Sequence, residues 1–153
     1  MYNVFRSEVE SFMIKKRRVI LLCLVIAMLS AAFTFPSYTE DRDTILLARV
    51  IYALGKNESY ETKLALGTVV MNRVNNAWFG NSVNEVLTEQ QQFPSGEKYD
   101  EESLKAAHAV LTGTRTISDS ALYYQATDAA QPRTDEPVEV VGGYAFYDSS
   151  DRI

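Results

Sequence analysis

Two hydrophobic patterns divide the chain. From Val19 to Phe35 it runs seventeen residues without a charge, directly after Lys15, Lys16, Arg17 and Arg18. Past residue 36 the apolar positions recur at helical spacing instead. Leu47, Val50, Ile51 and Leu54 form one narrow stripe, which predicts a helix capped by Thr44 and running to about Ala53. Gly55 and Asn57 favour a turn there, so Glu58, one turn beyond Leu54, lies past the predicted helix end. Glu61–Val74 reads as a second helix. Its apolar residues cover most of the circumference, as in a central buried helix, and Asn72 shares a face with Ala65 and Val69, so its amide must find partners inside. Ser82 is placed to cap a short helix through Leu87. Asp100 opens a third long helix with Leu104, Ala107, His108 and Leu111 on one stripe, closed by Gly113. Ala121–Ala126 and Gly143–Tyr147, rich in Tyr and Phe, read as strands or extended loops, with Pro132 and Pro137 marking an irregular connection between them. The fold class is α+β, mostly helical, with a small C-terminal extended or β part.

The basic cluster and apolar run make residues 1–36 a signal peptide or an N-terminal membrane anchor, and 37–153 the domain it delivers. The run falls short of the roughly 20 residues that span a bilayer comfortably, and Ser30-Ala31-Ala32 offers small residues for cleavage. Both readings export the domain to the cell envelope or beyond. It stays tethered to the membrane if the segment is uncleaved. Cys23, the one cysteine, lies inside the run, so no disulfide forms within the chain. After residue 36, ten Lys and Arg face eighteen Asp and Glu, a net charge near −8. Phosphate backbones repel such a domain, which excludes nucleic acid as a partner and leaves room for a polymer recognised by stacking and hydrogen bonds.

Conventional catalytic sets are scarce. One His and no HExxH motif give a zinc hydrolase little support, and Gly55-Lys56 lacks the rest of a phosphate loop. His108 sits on an apolar stripe and reads as a structural, hydrogen-bonded histidine. What remains is carboxylate chemistry beside aromatic and amide groups, a combination suited to glycan cleavage. A Glu in an apolar pocket can protonate a glycosidic oxygen. Tyr123, Tyr124 and Tyr144 can stack on sugar rings or simply pack. Gln92 and Gln125 offer amides.

Five pieces, in order, resemble the spore cortex-lytic, SleB-like cell wall hydrolases: "LLARVIYALGKNESYETKLALGTVVMNRVNN", "QQQFPSG", "SLKAAHAVLTG", "ALYYQATDA" and "VGGYAFY". The resemblance runs from Leu46 to about Tyr147. It implies a lysozyme-like domain that cleaves peptidoglycan glycan strands, often as a lytic transglycosylase. There one Glu protonates the leaving oxygen and the muramic 6-hydroxyl replaces water. No metal or organic cofactor is implied. The family's turn carries two Glu residues four apart, in a Glu-Ala-Arg-Gly-Glu pattern; this chain has Leu54-Gly55-Lys56-Asn57-Glu58. The first Glu, the expected acid, is Leu54 here, and the second is retained as Glu58. The closing strand, which usually carries a His, has Tyr144. Two readings follow. In one, the chain is a cell wall hydrolase or lytic transglycosylase with Glu58 as acid, Tyr144 assisting it by a hydrogen bond, and Gln92, Tyr123, Tyr124 and Tyr144 lining the substrate. In the other, it is a catalytically inactive peptidoglycan-binding or regulatory protein, and Glu58 pairs with backbone amides at the start of the next helix.

Overall fold

The computed structural model describes residues 41–88, 92–94 and 96–148. The predicted signal peptide or anchor, residues 1–36, lies outside them. Among the described residues no helix is long and apolar enough to cross a membrane.

Helix α1 spans Arg42–Gly55, and its cap is Asp41 rather than the predicted Thr44: Asp41 Oδ1 accepts the Thr44 N–H at 2.7 Å. A carboxylate three residues upstream satisfies a free helical N–H better than a hydroxyl that is itself buried. Helix α2, Tyr60–Val74, is capped by Ser59, and α3, Val83–Thr88, follows Ser82, whose hydroxyl accepts the Glu85 N–H at 3.3 Å. Helix α4, Glu101–Leu111, starts from Asp100 and passes into Gly113 at φ +112°.

Helix α2 is the centre of the core, as its all-round apolar pattern predicts. Every residue from Thr62 to Val70 is buried, and α1 and α4 pack against it and against each other. A Cβ on Gly67 would lie 3.1 Å from both Ile51 Cδ1 and Val110 Cγ2, so the missing side chain lets the three helices close. The buried Lys63 reaches the start of α4, where it pairs with Glu102 and lies 3.9 Å from Asp100.

The C-terminal part forms a three-stranded antiparallel sheet in the order β1-β3-β2. Its strands are β1, Tyr123–Ala126; β2, Glu139–Val141; and β3, Tyr144–Tyr147. The predicted extended segments contain β1 and β3. Strand β2 falls in what the two prolines mark as an irregular connection: three residues, with Val140 55% exposed, carry too short a pattern to be read. Pairing sets Tyr124 opposite Phe146 and Ala126 opposite Tyr144, so these side chains share one face. Phe146 is fully buried and roots the sheet in the helical core.

Candidate functional site

The end of α1 carries Leu54 to the sheet. The chain then turns, with the Glu58 N–H bonded to the Gly55 carbonyl at 3.0 Å. The cap of α2 is the neighbouring Ser59, whose hydroxyl accepts the Thr62 N–H. Ser59, not Glu58, is thus the cap of the next helix. Its carboxylate reaches across 85 residues of sequence, where Oε2 accepts the Gly143 N–H at 3.1 Å. The hairpin between β2 and β3 is shaped around it. A Cβ on Gly143 would stand 2.7 Å from Glu58 Oε1; one on Gly142 would stand 2.8 Å from Oε2 and collide with Thr62 Oγ1. Gly142 also takes φ +54°, which glycine adopts without strain.

Tyr144 follows this turn and closes the contact with α1: its hydroxyl donates to the Leu54 carbonyl at 2.8 Å. Burial raises its phenol above the ordinary value, and the negative charges of Glu58 and Asp128 add to the rise. Leu54 is half-buried against the core, so the position expected to hold an acid presents a hydrocarbon. Asp128, exposed just after β1, is a second carboxylate close enough to influence Tyr144, and sequence reasoning passed over it.

Tyr124 lies beside Tyr144, ring centroids 6.0 Å apart, and stacks on Phe93 at 5.6 Å and 23°. Its hydroxyl donates to the Gln92 carbonyl at 3.1 Å, and burial pushes its pKa up to about 12 despite the opposing charge of Arg73. Arg73 is another residue that the sequence reading missed. It is 3% exposed, its Nε donates to the Leu122 carbonyl at 2.6 Å, and Nη1 donates to the Gln92 side-chain oxygen. Its guanidinium also lies 4.8 Å from the Phe79 and Phe93 ring centres and 5.1 Å from that of Tyr123. Burial holds its pKa below the usual arginine value. The available signal was an arginine beside Asn72 near the end of an otherwise apolar helix. Asn72 meets its predicted need, donating to the Ser118 and Ala121 carbonyls at 2.9 Å.

The structure thus joins Glu58, Tyr144, Tyr124 and Gln92 through one series of contacts. Tyr123 is set apart, because adjacent strand residues point to opposite faces; its ring meets Phe79 edge-on at 6.1 Å and lies near Arg133. Gln125 is engaged within its own loop, giving a bond to the Gln131 carbonyl and taking one from the Arg133 N–H. His108 is half-buried on α4 and acts electrostatically on Asp41. Asp41 and Leu54 lie at opposite ends of α1, a helix about 20 Å long.

A mostly helical domain packed on a small antiparallel sheet, with an aromatic and amide cluster where the first helix ends, agrees with the lysozyme-like fold class that the resemblance implies. Its family can be stated more closely. The chain belongs to the Cell Wall Hydrolase family, which matches residues 57–147. That match takes in Glu58, Gln92, Tyr123, Tyr124 and Tyr144, and begins three residues after Leu54. Among its relatives, the spore cortex-lytic enzyme of Bacillus subtilis is 33% identical over 106 residues, covering 66% of this chain and 35% of the enzyme. That of Oceanobacillus iheyensis is 33% identical over 100 residues, or 62% and 36% of the two chains. This chain therefore spans about a third of the length of these relatives. Its structure resembles the catalytic domain of the Bacillus cereus SleB protein, with TM-score 0.63 and 26% identity, over 74% of this chain and 94% of that one. It also resembles the catalytic domain of the germination-specific lytic transglycosylase SleB from Bacillus anthracis, with TM-score 0.63 and 25% identity, over 74% and 99%. The predicted membership and fold class both hold.

Proposed function

We propose that this domain works at the cell envelope on peptidoglycan glycan strands, delivered by residues 1–36 as signal peptide or membrane anchor. It holds a strand against Tyr144, Tyr124 and Gln92, with Tyr123 at the margin. It does so without the family's proton donor, as a binding or regulatory member. The observation that carries this reading is the bond from the Gly143 N–H to Glu58. The one acid left in the turn is committed as a backbone acceptor that seats the hairpin carrying Tyr144, while Leu54 stands where the acid is expected. Leucine transfers no proton, and a missing general acid removes about 10²–10⁴ of rate.

A second reading keeps the domain as a hydrolase or lytic transglycosylase with Glu58 as acid. It is supported by the half-burial of Glu58 and by the nearness of its charge to Tyr144. It requires the carboxylate to leave Gly143 and swing toward the sugar.

Purified sacculi or spore cortex, incubated with the protein, separate the two readings. Expected are retention on the sacculi, no anhydro-muropeptides or new reducing ends from the natural chain, and their release by Leu54→Glu. Products from the natural chain that vanish in Glu58→Gln would overturn the first reading and establish the second.

A further inference from the structure

Trp78 is the chain's single tryptophan, and it is 84% exposed. Tryptophan is on average a largely buried residue, so an indole this exposed contributes little to the core. Its backbone, by contrast, is held: the Trp78 N–H donates to Asn76 Oδ1 at 3.0 Å, and the Phe79 N–H to the Asn76 carbonyl at 3.1 Å. The loop therefore presents the ring from a defined backbone. Its place in the fold is also specific. The next residue, Phe79, meets Tyr123 and the guanidinium of Arg73, and Arg73 continues through Phe93 and Tyr124 to Tyr144. The exposed indole is one residue from Phe79, the member of this series nearest to it in the chain.

We infer that Trp78 is a stacking platform for a pyranose ring of a glycan strand, a contact additional to those at Tyr144, Tyr124 and Gln92; the inference rests on the glycan-binding reading above. The apolar C–H face of a pyranose matches an indole face, and a flat exposed ring costs little rotamer freedom to order. Charge favours this occupant over the obvious rival, a membrane surface. Anionic lipid attracts basic residues, whereas the domain carries ten basic against eighteen acidic residues after residue 36.

As the only indole, Trp78 reports on itself. Titration of the full chain with N-acetylglucosamine oligomers is expected to shift its emission to the blue and protect it from acrylamide. Trp78→Ala should weaken binding of the longer oligomers about tenfold, and Trp78→Tyr should restore most of it; unchanged thermal unfolding would confirm that an exposed ring was removed without harm to the core. Oligomer binding that is lost in Tyr124→Ala but unchanged in Trp78→Ala, with no emission shift, would overturn the platform and leave the glycan-binding reading standing. No oligomer binding by the natural chain would overturn both. A blue shift with phosphatidylglycerol–phosphatidylethanolamine vesicles and none with oligomers would overturn the platform in favour of a membrane contact.

Discussion

Replacing Gly143 by alanine tests whether Glu58 seats the hairpin. Gly143 lacks the positive φ of its neighbour Gly142, so the backbone itself accepts alanine. A smaller unfolded ensemble then favours the variant by about 0.4–1 kcal/mol. Against this stands the carboxylate: the new Cβ would lie 2.7 Å from Glu58 Oε1 and 3.3 Å from its Cδ. Because the crowded atoms end a side chain, the carboxylate moves away and gives up the 3.1 Å bond from the Gly143 N–H. A hydrogen bond to a charged group contributes roughly 1.5–3 kcal/mol. The net loss is therefore about 1–2 kcal/mol, a fall in Tm of roughly 4–8 °C for a domain of this size. In a Glu58→Ala background nothing is left to collide with, and Gly143→Ala should be neutral or slightly stabilising. Urea and thermal unfolding of the four proteins by circular dichroism yields the coupling, expected at about 1.5–3 kcal/mol because the unfolded-state gain is common to both backgrounds and cancels. An equal cost of Gly143→Ala in both backgrounds would refute the clamp.

Arg73→Ala should cost about 3 kcal/mol or more in urea unfolding, because it strands the buried Leu122 carbonyl and opens a void among three rings; a loss under 1 kcal/mol would contradict that role. The Tyr124 phenol, raised in the fold to about 12, contributes stability that is complete below its unfolded pKa near 10 and is lost as pH rises through 12. That contribution is on the order of 2–3 kcal/mol, so stability should fall between pH 10 and 12 and fall less steeply in Tyr124→Phe. Lys63→Met should leave Tm nearly unchanged or raise it, since Asp100 and Glu102 keep 40% and 50% of their side-chain surface in water and are not stranded; a loss above 3 kcal/mol would show the ion pair to be essential.

Much of the architecture was legible before any coordinates. The helices announce themselves because periodicity and capping are local: Ser82 and Asp100 precede their helices as the pattern requires, while the cap of α1 moves from Thr44 to Asp41 and α2 starts at Tyr60, one residue before the predicted Glu61, with Ser59 as its cap. The buried need of Asn72 was equally legible, since an amide on an apolar face has few other solutions. Strand β2 was not, because its identity lies in hydrogen bonds to β3 rather than in its own three residues.

The site divides along the same line. By itself the sequence determined which groups are available: a leucine at position 54, an acid at 58, tyrosines at 123, 124 and 144, and a lone tryptophan. Only the tertiary structure decided what they face. Strand alternation separates Tyr123 from Tyr124, and an antiparallel hairpin brings Gly143 to Glu58 from 85 residues away. Long-range hydrogen bonds make both choices, the β1–β3 ladder and the Gly143 N–H to the Glu58 carboxylate, and no window of local sequence contains their two ends. The acid that the resemblance offers as a catalyst accepts, in the fold, the Gly143 N–H at the turn that leads into Tyr144.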